Sequence, residues 1–226
     1  MIRHHPDDAM LAALAAATLP RGQEVVTAAH VERCARCGAR LRELEAVGGA
    51  LLEDAEPALL APEALARTLA RIDASRATSP TACRPGVTAR DPSEGLQASL
   101  PDGMTWPRSL HGAATTRWRW LGPGMRWSRV TLADDRAANV FLLRIAAGKS
   151  LPVHSHRGIE LTQVLYGAFH DGRERFAAGD FDETDDTVRH QPVVEAGGEC
   201  ICLASVEGRV AFDGRIARVL GALVGM

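Results

Sequence analysis

From Asp7 to about Ile72 the apolar positions recur at three- and four-residue spacing, and this pattern predicts helices. Asp7 and Asp8 cap and complement a first helix running through Leu19, which Pro20 interrupts. A second helix runs from about Gly22 into the segment "HVERCARCGAR", and a third covers about Arg36 to Leu52. In a fourth, Pro62 suits the first helical position, and Leu65, Leu69 and Ile72 recur at i, i+4 and i+7 to give one apolar stripe. That stripe needs a partner surface.

Between about Ala77 and Gln97 periodicity is lost and proline, serine, threonine and glycine accumulate, which reads as a linker. From about Trp106 onward the helical signal fades. Short runs such as "RWSRVTL", "NVFLLRI", "ELTQVLY" and "CICLASV" alternate with glycine-bearing turns, as in an all-β barrel or sandwich. The expected organisation is therefore multidomain: an all-α four-helix domain over 1–76, a linker over 77–97 and an all-β domain over 98–226.

The formal net charge of −2 gives no electrostatic footprint for direct nucleic-acid binding. The amino terminus lacks a basic segment followed by a long apolar core, and the apolar run from Met10 to Leu19 is too short to span a membrane, so a cytoplasmic location without membrane attachment is expected. Five cysteines, an odd number without an export signal, argue against a disulfide framework. Metal binding or redox sensing stays open for them.

If the second helix continued through the cysteine segment, His30, Cys34 and Cys37 would lie at i, i+4 and i+7, on one face. Structural zinc prefers four nitrogen and sulfur ligands, so one is missing, and the nearest candidates are His4 and His5. A metal would also matter energetically. A domain of about 75 residues buries only about 60% of its unfolded surface, whereas structural zinc contributes on the order of 10 kcal/mol to folding. A thioredoxin-type dithiol would require a βαβ setting, which this helical segment does not provide, and a merely buried pair is the bland alternative.

The stretch "GKSLPVHSHRGIELTQVLYG" places Gly148, His154, His156, Glu160 and Gly167 at G-x5-H-x-H-x3-E-x6-G spacing, which resembles the first sequence motif of the cupin superfamily at every defined position. On a strand His154 and His156 share a face, and with Glu160 they can form a mixed nitrogen and oxygen site. Of the second cupin motif, Gly179 and His190 keep their spacing, while Asp185, Thr187 and Val194 replace the proline, second glycine and asparagine. Three histidines and one glutamate suit zinc, manganese, iron or nickel. Cys200 and Cys202 share a strand face and read first as small core residues, with oxidant sensing or metal contact as the minority reading. Trp106, Trp118, Trp120 and Trp127 read as core or rim packing, and His111 and His170 as surface residues.

Taken together, the chain resembles the ChrR-type zinc anti-sigma factors over almost its whole length. The resemblance rests on "IRHH" at 2–5, "HVERCARC" at 30–37, "AVGGALLE" at 46–53, "HSHRGIELTQVLYGAF" at 154–169 and "CICLA" at 200–204. It implies a helical zinc-binding anti-sigma domain followed by a cupin barrel, and a cytoplasmic regulator, not an enzyme. Such a regulator binds an extracytoplasmic-function sigma factor as a 1:1 heterodimer and keeps it from core polymerase. The family's zinc ligands fall on His5, His30, Cys34 and Cys37, and its cupin ligands on His154, His156, Glu160 and His190. In the family the cupin half is needed for release under singlet oxygen or a related oxidant. The alternatives are a cupin metalloenzyme of dioxygenase or isomerase type and a sensor of barrel metal occupancy.

Overall fold

A computed structural model of the chain describes residues 1–78, 94–97 and 99–212. Helices α1 (Asp8–Ala15), α2 (Arg21–Val31), α3 (Ala35–Glu53) and α4 (Ala64–Thr78) come first, followed by a single turn, α5 (Glu94–Gln97). Asp7 caps α1, its side chain accepting from the Met10 amide at 2.7 Å. The first helix is shorter than its apolar pattern suggests: it ends at Ala15, and Ala17 takes a positive φ of 52° before Pro20 starts the next element. The second stops at Val31, so residues 32–34 are a break and the cysteine segment is not one continuous helix; Cys37 already lies in α3. Pro62 lies two residues before α4. Much of the expected linker falls outside the described residues; within it, Leu96 of α5 is buried.

Thirteen antiparallel strands follow. They are β1 (Ala114–Thr115), β2 (Arg119–Gly122), β3 (Met125–Thr131), β4 (Val140–Ile145), β5 (His154–Arg157), β6 (Glu160–Tyr166) and β7 (Ala168–His170). The set continues with β8 (Arg175–Ala177), β9 (Phe181–Thr184), β10 (Arg189–His190), β11 (Val193–Val194), β12 (Cys200–Val206) and β13 (Arg209–Phe212). The largest sheet runs β1-β3-β4-β12-β6-β9, with β2 beside β3, and two small sheets, β10-β5-β13 and β11-β7-β8, complete the barrel. The fold is thus four amino-terminal helices and a cupin-like β domain.

The large sheet is buried on both faces, which explains why its strands read as unbroken apolar runs instead of alternating ones. On β4, Phe141, Leu143 and Ile145 enter the barrel interior, while Val140 and Leu142 join a separate core on the outer face. On β12, Cys200, Cys202 and Ala204 point inward and Leu203 outward. The outer core is closed by helices: Met10 of α1 and Val25, Val26 and Ala29 of α2 pack into it. Approach at the start of α2 is close enough that a Cβ on Gly22 would stand 2.5 Å from Ser205 Oγ. Polar contacts reinforce the seat, since the Glu32 carboxylate accepts from the Arg108 and Ser109 amides at 2.7 and 2.6 Å.

Packing therefore divides the chain elsewhere than the compositional boundaries at 76 and 98. Met1–Gly48 and Asp91–Met226 form one compact unit, and Gly49–Arg90 forms the other. The physical reason is the apolar face of α2, which has a sheet to cover. In the second unit the α4 stripe stays in water: Leu65, Leu69 and Ile72 are 71, 52 and 45% exposed, and Leu51 and Leu52 at the end of α3 are 68 and 77% exposed.

These two surfaces should respond oppositely to charge. Val26→Asp places an unpaired carboxylate between helix and sheet and should lower stability by several kcal/mol. Leu65→Asp should leave thermal unfolding within about 0.5 kcal/mol of the parent. Thermal melts followed by circular dichroism check both.

Candidate metal centres

The first centre is assembled from four places along the chain. His30 comes from the last turn of α2, Cys34 from the break after it, Cys37 from the first turn of α3, and His5 from the amino-terminal arm. One ligand atom from each lies within 4.8 Å of the others. His5 Nδ1 is 3.3 Å from Cys34 Sγ and 3.4 Å from Cys37 Sγ. Although the helix breaks at Val31, the break returns the chain so that all three residues of the H-x3-C-x2-C spacing still converge.

The arm is held by the barrel. Asp180 Oδ1, just before β9, accepts from the Arg3 and His4 amides at 2.6 and 3.1 Å, and the Phe181 amide donates to the His4 carbonyl at 3.1 Å. Extended backbone sends neighbouring side chains to opposite sides. His4 accordingly packs against Phe176, ring centroids 4.5 Å apart and planes tilted by 42°, with its Nε2 3.1 Å from the Arg175 carbonyl, while His5 turns to the cysteines. Gly179, at φ +99°, lets Ile2 approach; a Cβ there would stand 2.8 Å from Ile2 Cγ1.

The donor set suits a soft or borderline cation. His30 Nε2 is buried and has no hydrogen-bond partner among the described residues. Its Nδ1 meets Gln163 Oε1 at 3.0 Å. Burial pushes His30 down to about 4, against the raising effects of the Gln163 side chain and the Gly179 backbone, so the ring is neutral at pH 7. Burial also lowers His5, with nearby Arg36 assisting. The Cys37 thiol is pushed up to about 12, first by burial and then by Cys34 beside it. Two neutral imidazoles and two adjacent sulfurs, three of the four residues buried, are the ligands that tetrahedral zinc takes, and a cation between them would return both sulfurs to thiolates.

The second centre lies inside the barrel. His154 of β5, Glu160 of β6 and His190 of β10 bring ligand atoms within 4.8 Å of one another, and β10 pairs with β5 so that His190 stands opposite His154. His154 Nδ1 lies 2.8 Å from the Pro152 carbonyl, which directs Nε2 inward, 3.1 Å from His190 Nε2. His156 sits on β5 between them in sequence, paired with Val210, but its side chain lies outside the described residues. The lost proline and glycine of the second cupin motif are replaced by a side-chain turn: Asp185 Oδ1 accepts from the Thr187 amide at 2.9 Å and its hydroxyl at 2.6 Å.

Asp171 and Asp182, which carried no motif in the sequence, complete a second group around His190 within 4.8 Å. Arg173 bridges them, its Nε bonding Asp171 Oδ2 at 2.6 Å and its Nη2 bonding Asp182 Oδ1 at 3.1 Å. Asp182 is raised to about 7 by burial, with Glu160 and Asp171 adding repulsion against the opposing Arg173. Alternation along β9, with Asp182 on the cavity face, is the signal that could have marked it. A cavity of about 30 Å³ is lined by His154, Glu160, His190, Asp182, Cys200 and Cys202. That is room for an ion or a water.

Cys200 and Cys202 face the cavity with sulfurs 3.7 Å apart, beside a register shift in the pairing of β12 with β6. Their mutual contact and burial hold the Cys202 thiol well above its ordinary range. Trp127 is buried in the barrel core, Trp106 and Trp118 pack at the edge of the outer core, and Trp120 is exposed. His111 and His170 are exposed.

Residues 108–208 match the family model described as the ChrR cupin-like domain. The anti-sigma-E factor ChrR of Cereibacter sphaeroides is 38% identical over 220 residues, 97% of this chain and 96% of that protein. Among solved structures, that of Rhodobacter sphaeroides SigE in complex with the anti-sigma ChrR is similar with a TM-score of 0.69 at 38% identity, covering 92% of this chain and 100% of that chain.

The arm geometry separates the two adjacent histidines. His5→Ala should cost the first centre one zinc per chain under mild chelation, whereas His4→Ala should retain it. Zinc counted by native mass spectrometry checks the pair.

Proposed function

The chain belongs to the ChrR family of anti-sigma factors, and from that premise we propose that it binds an extracytoplasmic-function sigma factor 1:1 and withholds it from core polymerase in the cytoplasm. The observation that carries this reading is the 38% identity to an anti-sigma factor across 97% of the chain. The exposed stripe fits it. Leu51, Leu52, Leu65, Leu69 and Ile72 leave in water the apolar area that a helical partner would cover. No described helix is long and apolar enough to cross a membrane.

Zinc at His5, His30, Cys34 and Cys37 would tie the arm, α2 and α3 together and supply folding free energy to short helices. His154, His156, Glu160 and His190 would hold zinc, manganese, iron or nickel in the barrel, and signal release of the sigma factor when singlet oxygen or a related oxidant alters that centre. We read the protein as a regulator and not an enzyme, a reading supported by its likeness to an anti-sigma factor across 97% of the chain. Oxidisable sulfur and imidazole line the barrel cavity, which favours an oxidant signal over simple metal occupancy.

Three variants separate the roles. Leu65→Asp with Leu69→Asp should weaken sigma binding by at least about 100-fold, the loss of two interface anchors, with zinc content intact. Cys34→Ser should abolish binding together with the first zinc. Glu160→Gln, assayed with zinc in excess so that the helical centre stays filled, should bind the sigma factor as the parent does yet fail to release it after photosensitised singlet oxygen. Binding measured by calorimetry before and after illumination reads all three; loss of binding in Glu160→Gln equal to that in Cys34→Ser would contradict the division.

A further inference from the structure

Strand β6 serves two cores at once. Leu161 and Leu165 face the helices, Val164 faces the barrel interior, and Glu160 at the strand's start lines the barrel cavity. Gln163 stands on the helix side with no exposed surface. An amide buried among leucines is unfavourable unless its polar atoms are bonded, and both of this one's are. Its Nε2 donates to the Val164 carbonyl at 3.0 Å, and its Oε1 lies 3.0 Å from His30 Nδ1.

The orientation has a chemical consequence. With its NH2 group committed to Val164, Gln163 presents only oxygen to His30, and an amide oxygen only accepts. His30 Nδ1 therefore carries the ring proton, and Nε2 keeps its lone pair. That Nε2 atom is buried, without a hydrogen-bond partner among the described residues, and His30 belongs to the cluster with His5, Cys34 and Cys37. Phe181, the cross-strand partner of Gln163 on β9, sets its ring edge to His30 at 5.6 Å and bonds the arm through the His4 carbonyl. Two barrel strands thus meet the helical centre at adjacent positions.

We propose that Gln163 is the positioning residue of the helical metal centre: a barrel side chain that fixes the tautomer and orientation of His30 and makes metal affinity there depend on β6, the strand that carries Glu160 into the other centre. This rests on the reading that His5, His30, Cys34 and Cys37 hold a metal. A change at the barrel centre that shifts β6 then reaches the helical ligands through one hydrogen bond, without passing through the segment that joins α4 to the barrel.

The test uses the full chain loaded with cobalt, whose sulfur-to-metal charge-transfer band reports Cys34 and Cys37, with Cys34→Ser assigning the band. Gln163→Leu keeps the shape and removes the acceptor; Gln163→Glu keeps an acceptor. Chelator competition should show affinity at the helical centre falling about 10–100-fold in Gln163→Leu, as for other outer hydrogen-bond partners of metal ligands, and recovering in Gln163→Glu. Glu160→Gln should change that affinity in the parent and leave it unchanged in Gln163→Leu. Parent-like affinity in Gln163→Leu, equal loss in both Gln163 variants, or no effect of Glu160→Gln in the parent overturns the proposal while the metal reading stands. A parent chain that gives no thiolate band overturns the metal reading and the proposal with it. Nitrogen-15 spectra of the zinc-loaded parent provide a check free of variants: a protonated His30 Nδ1 supports the assignment, and metal on Nδ1 overturns it.

Discussion

Two thiols and two imidazoles gathered within 4.8 Å, three of the four residues buried, constrain everything at the amino-terminal end of this chain. Burial lowers His30 to about 4 and raises Cys37 to about 12, so without a cation these two stay neutral in a desolvated site where His30 Nε2 has no hydrogen-bond partner among the described residues. With a cation the same groups would become ligands. Four residues drawn from an arm, a helix end, a break and a helix start would then act as one cross-link, in a part of the chain whose first helix is only eight residues long.

The cross-link does not stand alone, because the elements it joins are also seated on the barrel. Asp180 fixes the arm, Gln163 fixes His30, and the outer face of β4, β12 and β6 buries the apolar side of α2. The barrel sheet is consequently a wall with a metal-type ligand set on each side, Glu160 at the inner face and Gln163 at the outer face of one strand. Transmission across such a wall requires no long lever. Close packing on both faces of the strand transmits strain from one side to the other.

Much of this was legible in the sequence. Helical periodicity, the glycine and histidine spacing of the barrel motif and the H-x3-C-x2-C segment each reflect local geometry, which one stretch of sequence records. His4 against His5 was not legible, since the choice depends on how an arm pairs with Asp180, some 175 residues away. Asp171, Asp182 and Gln163 carry no spacing signal because their partners come from other strands. The seat of α2 on the sheet did leave a trace: "NVFLLRI" and "CICLASV" are apolar on both faces, and a barrel strand with one face in water would alternate.

The most direct test of the central claim is zinc X-ray absorption on the full chain carrying His154→Ala and Glu160→Gln, so that metal remains only at the helical centre. The account predicts about one zinc per chain with two sulfurs at about 2.3 Å and two nitrogens at about 2.0–2.1 Å. A shell of nitrogen and oxygen alone, or a folded chain that holds no zinc, would contradict it.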